Sequence, residues 1–243
     1  MNLINSLSLA QILHSALHAA NLVHRHLWRW ALLSLICLIL LESCGLIPYL
    51  GFTLKIALAS IVTAQFISML AAPLAAQKPS PIGLLKMTAM PWKGLALLAL
   101  SGLACFGIGL LSIGLTSNWH ALAFFFSRPG QYPAPSQLAW LLFKLTMSIS
   151  GLFFFFLPVN LRLQELSALQ SVLLSMRGIW HNKLLAMLML SLIASLELLN
   201  LMLLKFVGKP ALLLSALLAL YLLVWSAAMR LTSARQIFIG NSY

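Results

Sequence analysis

From Gly94 to Thr116 the chain reads GLALLALSGLACFGIGLLSIGLT, an unbroken run of apolar and small residues without a single charge. As a helix rising ~1.5 Å per residue it would be about 34 Å long, enough to cross the ~30 Å hydrocarbon core of a bilayer. Trp92-Lys93 stands at its start, an indole and a cation where a span would meet the headgroups. This stretch decides the class of protein, and the rest of the chain repeats its pattern.

Five more runs meet the same standard, at about 28–46, 51–74, 138–160, 184–204 and 210–229. Gly45, Pro48 and Gly51 mark a tight turn between the first two. Phe206-Val207-Gly208-Lys209 with Pro210 marks another between the last two. Ser117 to Gln137 reads as a longer loop broken by Pro129, Gly130, Pro133 and Pro135. Of the 243 residues 62% are hydrophobic and 7% charged, against roughly 45–50% and 25% in soluble domains. Such a chain cannot cover itself with polar groups, so lipid must be its outer solvent. The expected fold class is all-α, a polytopic bundle of six transmembrane helices arranged as three hairpins. Residues 1–27 are expected to form a cytoplasmic amphipathic interfacial helix. Residues 28–229 are the transmembrane domain and 230–243 a cytoplasmic tail.

The formal charge of +12 comes from 15 Lys and Arg against 3 acids. The basic residues stand singly between apolar runs, without a basic stripe, so they read as topology signals rather than a nucleic-acid surface. With both ends inside, Arg25, Arg29, Lys78, Lys86, Lys93, Arg162, Arg177, Lys183, Arg230 and Arg235 fall on the cytoplasmic side. Lys55, Arg128, Lys205 and Lys209 fall outside, and Lys144 lies within a span. Ten against four places both termini in the cytoplasm of a bacterial inner membrane. The run 31–41 before Leu41-Glu42-Ser43-Cys44 reads as a span rather than a cleaved lipoprotein leader, since Glu42 occupies a position that wants a small residue. Cys37, Cys44 and Cys105 form no CxxC pair and imply neither zinc nor disulfides.

Each outgoing span is entered through a Trp-basic anchor: Trp28-Arg29-Trp30, Trp92-Lys93 and Trp180-His181-Asn182-Lys183. The anchor residues expected at the interface are therefore Trp28, Arg29, Trp92, Lys93, Trp180 and Lys183, facing a bilayer with anionic lipids. An amphipathic pattern precedes two of them. Leu9, Leu13, Ala16, Ala20, Val23 and Leu27 form one apolar row. Leu163, Leu166, Leu169, Leu173, Met176 and Trp180 form the other. The middle segment, with Pro79, Pro81 and Pro91, is more broken.

From Pro158 through this second amphipathic stretch to Ser175-Met176-Arg177 and Trp180-His181-Asn182, the chain resembles the YciC-like family of bacterial six-helix inner-membrane proteins. The resemblance in layout covers nearly the whole chain, and the residue-level resemblance about thirty residues. It implies the same helix number and amphipathic leader, and carries over no activity or catalytic residue. The proline-rich middle segment departs from the family's pattern.

Charges inside spans are costly and mark function or register. Four are expected there: Glu42 and Lys55 on the arms of the first hairpin, and Lys144 and Glu197 at similar depth on the fourth and fifth spans. They read as two opposite-charge pairs, either structural or part of a transport site. Asn200 would share the face of Glu197. Small residues at Ser60, Ala64, Ser68 and Ala72, and at Ser101, Cys105 and Gly109, point to close helix packing. His14 and His18 share a helical face near His24 and His26, but no acid or Cys completes a metal site. They read as surface histidines able to make membrane association pH-dependent.

The acids are Glu42, Glu165 and Glu197, with no Asp, which removes paired-carboxylate hydrolysis and acid-rich metal sites. HExxH, GxSxG and phosphate-loop patterns are absent. No metal, cofactor, catalytic residue or nucleic-acid partner is expected. The reading is a non-enzymatic scaffold or accessory subunit of a membrane complex, with a membrane-protein partner. The alternative is a small transporter or permease component using the paired charges. An enzyme acting on lipid or isoprenoid substrates would need a cytoplasm-facing acidic cluster that Glu165 alone does not make.

Overall fold

The computed structural model describes residues 6–71, 92–117, 119–128, 130–163, 166–206 and 211–239. Every regular element among them is helical. The middle proline-rich segment with Lys78 and Lys86, Glu165, and the expected turn at 207–210 lie outside the described residues, as does the side chain of Asn200.

Helix α1 covers Leu9–His24, α2 Leu27–Gly45, α3 Gly51–Ala71 and α4 Trp92–Thr116. A short 3-10 turn, Trp119–Leu122, leads into the single-turn helix α5, Ala123–Phe126. Then come α6 Gln137–Phe153, α7 Leu157–Leu163, α8 Ala168–His181, α9 Lys183–Phe206 and α10 Ala211–Ala234. Among the described residues four stretches are long and apolar enough to cross a membrane: Leu27–Gly45, Gly51–Ala71, Trp92–Thr116 and Gln137–Leu161. A fifth results if α8 and α9, bent by 87° at their junction, are counted as one broken span.

The two amphipathic helices begin alike. Ser8 Oγ accepts from Gln11 N at 3.3 Å while Gln11 Oε1 accepts from Ser8 N at 2.8 Å. Ser167 and Gln170 repeat this capping box at the head of α8. Each box satisfies donors that a helix N-terminus otherwise leaves bare. The backbone N–H of Leu7, just ahead of α1, donates to Asn182 Oδ1 at 2.7 Å, which ties the start of the chain to the α8–α9 elbow.

Helix α10 is the central element. Its Val224, Ala227, Ala228 and Leu231 pack with Ile12, Ala19 and Val23 of α1, with Trp30 and Leu33 of α2, and with Phe66 and Ile67 of α3. The alanines admit neighbouring backbones closely, which is how helices associate where lipid removes a hydrophobic incentive. Past 229, the expected end of the last span, the chain stays helical. The helix runs on to Ala234 and a π-helical turn, Arg235–Ile239, with Leu231, Ala234 and Ile237 fully buried. No breaker interrupts this stretch, and its small and apolar residues pack on α1.

Helix α1 runs antiparallel along α10. Thr232 Oγ1 donates to Ser15 O at 3.2 Å, Trp225 Nε1 to Ala16 O at 3.4 Å, and Tyr221 Oη meets His24 Nε2 at 3.4 Å. The face that α1 buries is Ile12, Ser15, Ala19 and Val23. From the expected apolar row, Leu9 and Leu13 stay 50% and 54% exposed. The smaller stripe wins the protein contact because it lets the two axes come close, leaving the leucines exposed.

The described residues of loop 117–136 fold back rather than hanging free. Phe125 is buried, with its ring 5.1–5.8 Å from those of Phe52, Phe106, Phe143 and Trp140. Helix α4 touches α3 at Gly102, where an added Cβ would collide with Ser60 Oγ. Helix α6 breaks at Phe154–Phe156 ahead of Pro158, whose ring nitrogen has no hydrogen to donate. Ser175 of α8 staples the break: its Oγ accepts from Phe156 N at 3.1 Å and donates to Phe153 O at 2.9 Å.

Candidate functional site

The turn between α2 and α3 brings Glu42 and Lys55 together. Lys55 Nζ donates to Glu42 Oε1 at 2.7 Å. The pair lines a cavity of about 320 Å³ with Gly45, Phe52 and the folded-back Phe124 and Phe125. Glu42 keeps 60% of its side-chain surface exposed, so the ion pair is open to screening and holds little net stability, roughly 0–1 kcal/mol.

Lys144 of α6 and Glu197 of α9 meet more tightly, Nζ to Oε2, at 2.6 Å. Their side chains are 36% and 21% exposed. This bond joins two helices that are far apart in sequence. Both acids of the apolar helices are thus held by lysines.

A fifth charge, Arg230 of α10, packs against the break after α6. It is one of the ten basic residues expected on the cytoplasmic side, one position beyond the expected end of the last span at 229. The signal that locates it is the unbroken helical run from Ala227 to Ala234. Its Nε is shut off from solvent and has no hydrogen-bond partner, and its Cζ sits 4.9 Å from the centre of the Phe155 ring. Neither ion pair includes it. Arginine stays protonated in proteins. The residue as a whole keeps intermediate exposure, so the shut-off Nε, with only the ring face beside the guanidinium, is the part left unsatisfied.

Arg230 also stands at the junction of two cavities. One, about 220 Å³, lies among α3, α4, α6 and α7 and is lined by Ser60, Thr63, Ser101 and Cys105. The other, about 490 Å³, lies among α6, α9 and α10, and Ser148, Glu197, Trp225 and Ser226 contribute to its wall. Met147, Gly151 and Arg230 line both. Close packing of α3 on α4 through Ser60 and Gly102 holds the first cavity's wall. The proline break, fixed by Ser175, sets Phe154 against the first cavity and Phe155 against the second and the guanidinium.

The anchor residues sit at exposed helix starts and ends. Trp28, Trp92 and Trp180 are largely exposed, and Arg29 and Lys93 follow the first two. Lys183 Nζ lies 5.1 Å over the Trp180 ring. Trp30 differs, being buried edge-on against Phe66 at 5.9 Å. Along α8 the apolar row Leu169, Leu173, Met176 and Trp180 faces outward, while Ser171, Ser175 and Gly178 face the bundle. The rings of His14 and His18 stack at 6.4 Å on the α1 surface. Burial, aided by His14, Arg235 and Arg25, pushes the His18 imidazole below its ordinary value. Among the described residues no group of three His, Cys, Asp or Glu converges. Comparisons with protein-family models, with curated proteins and with solved structures yield no match for this chain.

Proposed function

We propose that this chain is a non-enzymatic protein of a bacterial inner membrane that serves as a scaffold or accessory subunit of a larger membrane complex. It crosses the bilayer six times, as three hairpins with both termini cytoplasmic. One observation carries the functional reading: Glu42, Lys55, Lys144 and Glu197 are engaged in two ion pairs, at 2.7 and 2.6 Å, which supports charges that neutralise each other rather than serve a solute. The six-span count is supported by α9 and α10, each 24 residues, or about 36 Å at ~1.5 Å per residue. The 87° elbow before α9 and the outward apolar row of α8 support an interfacial seat for α8, with Trp180 and Lys183 at headgroup level.

A second reading, a small transporter, is favoured by the cavity of about 490 Å³ that Glu197 and Arg230 both line. Purification of the tagged chain in mild detergent decides between the two. The scaffold reading expects a stoichiometric complex with an identified membrane protein whose abundance falls when this chain is deleted. A monodisperse chain alone, with solute uptake in proteoliposomes lost in a folded Glu197→Gln variant, would overturn it.

A further inference from the structure

We propose that Arg230 binds the acidic headgroup of an amphiphile, a single anionic group on a hydrocarbon chain, and that the chain lies in the cavity between α6, α9 and α10. This goes beyond the scaffold reading and does not depend on it.

Three observations converge on this site. The guanidinium Nε is buried without a protein acceptor, and the Phe155 contact is made through the ring face. The two described acids are committed to Lys55 and Lys144, so neither neutralises it. The planar fork of arginine suits a carboxylate or phosphate, and an anion there would use the idle Nε donor.

The second half of the ligand is read from the walls. Arg230, Ser148, Ser226 and the Lys144-paired Glu197 supply the polar part of the lining, while Met189, Leu192, Leu196 and Leu222 are among its apolar residues. Its volume, about 490 Å³, falls within the ~300–1,000 Å³ of small-molecule sites. A free inorganic anion would leave the leucine-lined part unused, and a neutral lipid would leave the arginine uncompensated. An acidic head with an acyl chain meets both demands. Phospholipid phosphate and fatty-acid carboxylate share this chemistry.

Trp225 lines the same cavity and serves as reporter. The full chain, exchanged into lipid-free non-ionic detergent, is titrated with acyl-brominated phosphatidylglycerol, dibromostearate or acyl-brominated phosphatidylcholine. Trp225 quenching is the difference between the native chain and Trp225→Phe. We expect one of the two anionic probes to quench at a concentration at least tenfold below phosphatidylcholine. Whichever of them does so identifies the source as phospholipid or fatty acid. Arg230→Gln should weaken that quenching at least tenfold, and Arg230→Lys by less. Should Arg230→Gln fail to fold, Ser148→Phe narrows the cavity with the arginine intact and is expected to abolish the quenching. Equal quenching by phosphatidylcholine, or quenching unchanged in Arg230→Gln or Ser148→Phe, would overturn the proposal. So would inorganic phosphate displacing the anionic probe at matching concentration, which would reveal a simple anion site.

Discussion

Removing one partner of the Lys144–Glu197 bond should cost far more than removing both, and the two single losses should be unequal. At 2.6 Å the gross attraction is about 6 kcal/mol for an effective dielectric near 20. Shielding two ions from water takes back several kcal/mol for each, so the intact pair is close to neutral in net stability. A single truncation keeps the shielding cost of the survivor. Breaking a fully buried pair costs about 3–5 kcal/mol. Here Lys144 retains 36% exposure and Glu197 21%, and on a span that exposure relieves the penalty only as far as a long side chain reaches the interface. Glu197→Gln leaves the more exposed lysine, whose stem reaches toward water, and should cost about 1–2 kcal/mol. Lys144→Met leaves the less exposed carboxylate and should cost about 2–3 kcal/mol. The double replacement Lys144→Met with Glu197→Leu should return within about 1 kcal/mol of the native chain. Thermal unfolding in one detergent reads these differences at roughly 2–4 °C per kcal/mol for a chain of this size. Strictly additive losses, or equal costs for the two single variants, would refute the reasoning.

Other outcomes follow from single contacts. Ser175→Ala should lower the unfolding temperature by several degrees, since a buried N–H left without its acceptor costs about 1–3 kcal/mol. Ser171→Ala, at a hydroxyl that is buried without a partner, should be neutral or stabilising in the same assay. Gly102→Ala should destabilise, because its Cβ meets Ser60 across the α3–α4 contact, whereas Gly107→Ala meets nothing within 4 Å and should gain from the better helix former. For His18, the folded chain holds the imidazole below its ordinary value of 6.5. The unfolded chain therefore takes up the proton first, and stability falls as pH drops through and below that value. The loss of melting temperature between about pH 7.5 and 5.5 should shrink in His18→Gln, and an unchanged pH profile would count against this lowering.

Much of this architecture could be read from residue order, because lipid imposes a simple rule. Apolar runs long enough to span must be helical, since no water is present to satisfy their backbones. The expected boundaries 28–46 and 94–116 accordingly lie within one or two residues of Leu27–Gly45 and Trp92–Thr116. Glu42 and Lys55 could be placed near one another from the tight turn alone, a local constraint. For Lys144 and Glu197, similar depth on two spans set their level, while only the packing of α6 beside α9 decided that they touch. Tertiary structure alone decided which stripe of α1 is buried, because Ile12, Ser15, Ala19 and Val23 win by fitting α10 rather than by hydrophobicity. It also decided the place of Arg230. Sequence marks a cation near the end of an apolar run as an interfacial residue. Only the continued helix to Ala234, the α1 that packs along it and the ring of Phe155 decided what this one touches. Periodicity and transfer energy are properties of a segment and can be read from it. Which face meets which neighbour depends on the shapes of both.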